Sequence, residues 1–164
     1  MSAALFDQIA PAHLPDPSRL VLPWPVSANL YWRSFVPKGH RRAIVVVSDE
    51  AKAYKREVAW IAKAAGVRPL AGRVHLAYWL YPAMPLDAAK RKRKHGATWD
   101  DSVRSIDLDN AAKVLSDALN GIAYADDAQV WAITAQRMEP DGVARLVVQV
   151  DQIQVDLPQV GLDL

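Results

Sequence analysis

No cysteine occurs anywhere in the 164 residues. Disulfides, thiolate metal sites and cysteine nucleophiles are therefore excluded, and a reducing compartment is the natural setting. No apolar run approaches the ~20 residues that a membrane-spanning helix needs. The first 20 residues lack the basic start and apolar stretch of a secretory signal, so a cytoplasmic protein without membrane attachment is expected. The chain has no internal repeat, no glycine-rich phosphate loop and no Ser-His-Asp grouping for nucleophilic catalysis. What is there is 51% hydrophobic with charges of both signs interspersed, long enough to bury one core.

The net charge of +2 hides an asymmetry. From Arg33 to Arg56 seven Lys or Arg face two acids, and from Asp87 to Arg104 six face three. The second stretch contains the unbroken run Lys90-Arg91-Lys92-Arg93-Lys94. From Glu139 onward the balance reverses, with five acids against one Arg. A basic middle and an acidic tail let a nearly neutral chain present a face suited to a polyanion.

The densest chemistry lies in Asp107-Leu108-Asp109-Asn110-Ala111-Ala112-Lys113 and in Asp126-Asp127. After Asn110 the apolar residues Ala111, Val114, Leu115, Ala118 and Leu119 recur at helical spacing, and Asn120-Gly121 supplies a stop. Asp107 and Asp109 thus fall at the entry to a short amphipathic helix, where an extended approach would let both carboxylates converge. One explanation is capping and interaction with the helix dipole, each on the order of 1 kcal/mol or less. The other is a hard divalent ion, Mg²⁺ first, which relieves the repulsion between neighbouring carboxylates and tolerates a shared phosphate ligand. The spacing leaves both open.

Taken in order, residues 1–17 read as a loosely attached arm, and residues 18–151 as one domain. Residues 152–164 read as an acidic tail. Arg19–Leu22 is a first strand. Tyr31–Val36 and Ala43–Val47 are expected to pair as a hairpin whose tip carries Arg33, Lys38, Arg41 and Arg42, either a solvated turn or a basic finger. Ser48 caps a helix whose stripe is Ala51, Tyr54, Val58, Ile61 and Ala65, and Gly66 ends it. Arg73–Tyr81 alternates as a strand, with His75 a strand residue rather than a ligand. Residues 82–104 read as a basic loop. Gln129–Arg137 and Val143–Val150 are strands joined by a hairpin turn at Met138–Gly142. The expected class is α+β, a mixed sheet with two helices.

These motifs resemble a known family. Asp107-Leu108-Asp109-Asn110, Lys113, Asp117-Ala118-Leu119 and Asp126-Asp127-Ala128-Gln129-Val130 are similar to the signature of the RusA-type Holliday-junction resolvases. Pro23-Trp24-Pro25-Val26-Ser27-Ala28-Asn29 resembles that family's N-terminal motif, and Ser48 through Tyr54 the start of its first helix. The likeness spans roughly residues 19–150.

The resemblance implies a RusA-like fold and a homodimeric, Mg²⁺-dependent endodeoxyribonuclease, with Mn²⁺ able to substitute. Its substrate would be branched DNA, four-way junctions cut by paired incisions in recombination and repair. By motif position, Asp107, Asp109 and Asp127 would be the catalytic, metal-holding carboxylates and Lys113 the essential basic residue, with Asp126 the weaker member of its pair. Arg33, Lys38, Arg41, Arg42, Lys90, Arg91, Lys92, Arg93, Lys94 and Arg104 would bind DNA. The long basic segment from Asp87 to Ile106, the arm and the tail depart from the family pattern. Two other readings share these residues: a non-catalytic branched-DNA-binding protein with the acids as caps, and a flap or single-strand nuclease using the same site.

Overall fold

In the computed structural model, which describes residues 19–155, the elements follow in this order. Strand β1 (Arg19–Pro23) leads through a single helical turn, α1 (Ala28–Tyr31), into β2 (Trp32–Phe35) and β3 (Ile44–Val47). Helix α2 (Asp49–Ala64) and strand β4 (Val74–Tyr81) come next, then helices α3 (Ala88–His95) and α4 (Leu108–Leu119). Strands β5 (Val130–Arg137) and β6 (Arg145–Gln152) follow. The arm expected over residues 1–17 and most of the tail lie outside the described residues.

The α+β class and the mixed sheet hold. The main sheet has the order β1-β6-β4-β5, with β4 parallel to β5 and antiparallel to β6. The hairpin β2–β3 forms with Trp32 opposite Val47, but as a separate two-stranded sheet.

Three expectations are corrected. The described residues contain four helices rather than two. Helix α1 is one turn long, too short to show a period. The second surplus helix, α3, occupies the stretch read as a basic loop. Ala, Lys and Arg are all good helix formers, but with no apolar stripe among them no periodic signal betrays the helix. Finally, β5 and β6 are not hairpin partners, because β4 lies between them.

Strand β4 takes the centre because both its faces are apolar. Val74, Leu76, Tyr78 and Leu80 join Leu22, Leu146 and Val148 in the main core. The opposite row, expected to alternate outward, is buried too: Ala77, Trp79 and Tyr81 pack with Met138 and Val147. Two guanidinium groups roof that second layer, Arg19 at 4.3 Å from the Trp79 ring centre and Arg145 at 4.0 Å from that of Tyr81. Strands buried on both sides read as continuous apolar runs rather than alternation.

Helices α2 and α4 cover the main-core face. Ser48 caps α2, its hydroxyl accepting from the Ala51 amide at 3.1 Å, and Ala51, Tyr54, Val58 and Ala62 are buried. Gly66 ends it with φ +75°, a backbone state that favours glycine. Every residue of the predicted α4 stripe is buried: Ala111, Val114, Leu115, Ala118 and Leu119. Each Leu or Val so placed contributes about 1.5–3 kcal/mol. The opposite face of α4, with Asp109 and Lys113, is thereby turned outward.

Candidate active site

Helix α4 positions the acidic turn, and β4 fixes the height of α4. The buried Tyr78 hydroxyl donates to the Leu108 carbonyl at 2.6 Å, tying the first turn of the helix to the central strand. Burial, and next the nearby charge of Asp109, push the Tyr78 phenol up to about 12. It therefore stays a neutral donor at physiological pH.

Asp107 stands at the N-cap of α4 with extended backbone (φ −69°, ψ 145°), yet its side chain makes no capping hydrogen bond. Asp109 lies in the first turn, and Lys113 is one turn further along the same outward stripe. All three are exposed. Neither acid pairs with a cation among the described residues, and Lys113 makes no ion pair there. The capping hydrogen bond expected of Asp107 is thus absent, and Lys113 does not use its i,i+4 spacing to pair with Asp109.

Asp126 and Asp127 separate cleanly. Asp126 caps the short 3-10 turn Asp127–Gln129, its carboxylate accepting from the Ala128 amide at 2.8 Å. The Gln129 side chain completes the capping box by accepting from the Ala125 and Asp126 amides at 2.8 and 3.1 Å. Its amide nitrogen also donates to the carbonyls of Leu70 and Gly72 at 3.1 and 2.8 Å. Asp126 is therefore a brace, and Asp127 keeps an exposed carboxylate. The D-x-x-Q spacing is itself a capping-box signature. Asp126→Ala is expected to cost about 0.5–2 kcal/mol of stability while the folded protein keeps its activity. A denaturation midpoint identical to wild type would remove the bracing role.

Sequence reasoning gave Asp117 no part in the site, although it lies one turn beyond Lys113. Its carboxylate meets Lys55 of α2 at 2.9 Å. Burial, with the charge of Asp127 adding, nevertheless pushes it above the usual carboxylate range, so desolvation outweighs the pairing. Asp117 and Asp127 therefore share one electrostatic neighbourhood. Tyr124 secures that approach by donating to the Ser116 carbonyl at 2.9 Å. Among the described residues, no three His, Asp or Glu side chains gather closely enough to grip a metal ion on their own.

The N-terminal proline motif converges on the same turn. Trp24, Ser27, Asn29, Arg104, Asp107 and Asn110 line a cleft of about 460 Å³. A second hollow of about 280 Å³ has Tyr31, Trp32, Lys113 and Asp117 on its walls, so the stem of the β2–β3 hairpin flanks the lysine.

The expected DNA-binding residues are dispersed over several elements. Arg33 sits on β2, and Lys38, Arg41 and Arg42 occupy the connection between β2 and β3, all exposed. Arg104 borders the cleft beside Asp107. Of the run on α3, Lys90, Arg93 and Lys94 are exposed, while Arg91 and Lys92 are engaged in holding the helix. Arg91 pairs with Asp87 at 2.7 Å and donates to the Ser102 hydroxyl at 2.8 Å. Lys92 pairs with Glu139 at 3.2 Å.

A turn whose carboxylates and lysine make no ion pair among the described residues, with Arg104 beside it, suits an α+β enzyme that works on phosphodiesters. The family model described as Endodeoxyribonuclease RusA matches residues 23–151, and the chain belongs to that family. A comparison with curated proteins finds no match.

Proposed function

We propose that this chain is a Mg²⁺-dependent endonuclease that cuts four-way DNA junctions by paired incisions, acting as a homodimer. The observation that carries the reading is the Asp107 carboxylate, which stands at a helix N-cap and spends no bond on the helix. It lies beside an equally uncommitted Asp109. A branched-DNA-binding module has no use for such acids, since they repel the phosphates it must hold.

The donor set fits a hard cation. Asp107, Asp109 and Asp127 offer only oxygen ligands, are exposed, and do not close into a cage. That suits Mg²⁺, which keeps several waters and binds through one or two carboxylates plus substrate phosphate. A bound ion would supply Lewis-acid charge and an activated water for hydrolysis. The chain's own groups do the rest. Asp107 and Asp109 would hold the ion at the helix entry, and Asp127, whose charge reaches Asp117 further along the same helix, would complete the oxygen donors. Lys113, free of any acidic partner, steadies the scissile phosphate as charge develops on it. Arg104 at the cleft edge neutralises the adjoining backbone.

Two equivalent strands to cut favour two equivalent sites related by a twofold axis. The exposed hairpin residues Trp32, Phe35, Ile44 and Val45 support self-association through an otherwise uncovered surface.

The test is a cleavage assay on a synthetic four-way junction, a flap and a linear duplex, each with Mg²⁺ or EDTA, using wild type and Lys113→Met. Paired Mg²⁺-dependent nicks confined to the junction are expected, and the variant should lose about 10²–10³-fold in rate at unchanged thermal stability. Equal cutting of the flap would replace junction resolution with general branched-DNA cleavage. Tight junction binding without cleavage under any metal would make the protein a binding module.

A further inference from the structure

The basic run is a helix with two different faces. At 100° per residue, Arg91 and Lys92 fall on one side of α3, while Lys90, Arg93 and Lys94 fall within about 100° of arc on the other. The first side is fastened. The Arg91 guanidinium bridges Asp87 at the helix start and Ser102 in the segment leading to the acidic turn. That pairing holds the Asp87 carboxyl below its usual range. Lys92 pairs with Glu139 and lies 4.5 Å from the ring centre of the buried Trp99. The Trp99 indole nitrogen donates to the same Glu139 carboxylate at 3.0 Å.

The second side is not clamped, although the charge of Lys90 is felt at Asp87. Lys90, Arg93 and Lys94 make no ion pair among the described residues, and each is exposed. Arg93 and Lys94 are also the i+3 and i+4 neighbours of Lys90, a like-charge arrangement that disfavours the helix. An eight-residue helix is marginal by itself, so its fold relies on the clamps opposite. A clamped helix that concentrates cations outward, on the segment leading into Arg104 and Asp107, suits a backbone of phosphates.

We propose that α3 is a fixed arm that grips the phosphate backbone of duplex DNA flanking the cut, through Lys90, Arg93 and Lys94, while Arg91 and Lys92 serve only to hold the arm in place. This rests on the endonuclease reading and adds to it a division of labour within the basic run. Lys90 to Lys94 spans about 6 Å along the helix axis, against a rise of about 3.4 Å per nucleotide in each strand. Roughly two successive phosphates are therefore within its compass.

The experiment measures binding of the intact protein to a synthetic four-way junction, in EDTA to prevent cleavage, across a salt series. The variant K90Q/R93Q/K94Q keeps residues of good helix propensity and touches none of the clamps. A charge-matched control, R56Q/K63Q/R68Q, removes three exposed cations elsewhere. The slope of log K against log salt is expected to fall in magnitude by about 2 for the α3 variant, at about 0.9 per phosphate contact, and to stay near wild type for the control. An α3 variant with the wild-type slope overturns the proposal. So does an equal drop in both variants, which would be an effect of net charge alone. If wild type binds no junction at any salt, the endonuclease reading falls, and α3 with it; that outcome is distinct from the previous two.

Discussion

Asp109→Asn should abolish Mg²⁺-dependent junction cleavage while leaving the protein folded and bound to DNA. The expected fall is about 10²–10³-fold or more, the scale on which single groups that stabilise developing charge are felt. Asparagine is nearly isosteric, and Asp109 makes no side-chain bond among the described residues that the change would break. The stability cost is therefore confined to the helix-dipole interaction, about 0.3–1 kcal/mol. Junction affinity in EDTA should hold or rise, because a negative charge leaves a surface that faces phosphates. Near-normal cleavage would take Asp109 out of the chemistry. Joint loss of cleavage and folding would give it a structural role.

Leu115→Ala is expected to have the largest effect on stability. Leu115 is fully buried at the centre of the α4 stripe, in the core that includes Val58, Leu76 and Leu146. Truncating a leucine in such a site costs about 2–5 kcal/mol, depending on how far the cavity collapses. Against a typical total of about 5–15 kcal/mol, this is a large share. Urea denaturation should show a lower midpoint with an unchanged slope. A loss under about 1 kcal/mol would contradict the packing of α4 against the sheet.

The same helix explains why the outward placement of Asp109 and Lys113 could be read from sequence. Its apolar residues fix its inner face, so Asp109 and Lys113 must be outside, and the spacing says so without any structure. Ser48 announced α2 in the same way. The failures share a cause as well. A helix such as α3, whose outward face is all cation and whose inward face is Arg and Lys in ion pairs, has no hydrophobic period to find. The residues of Met138–Gly142 suggest a tight hairpin turn, but local chemistry carries no information about β4, which lies between the two strands they join. Asp126 carried a capping signature in plain view, yet beside another aspartate it looked like part of an acidic pair. How closely separate carboxylates approach is a property of tertiary packing, and spacing along the chain cannot supply it.

The central position of β4 bears on how the chain assembles. Both of its neighbours, β5 and β6, come from later in the sequence, and β1 has β6 as its pairing partner, with Arg19 opposite Gln149. A ribosome extruding this protein releases α2, β4 and the acidic turn well before any main-sheet ladder can close. Such long-range closure makes for slow folding. Until β6 emerges, β4 lacks one of its two neighbours in the sheet. The proposed nuclease centre thus acquires its support late in synthesis, and a nascent chain halted short of β6 carries Asp107, Asp109, Asp126 and Asp127 without the completed sheet.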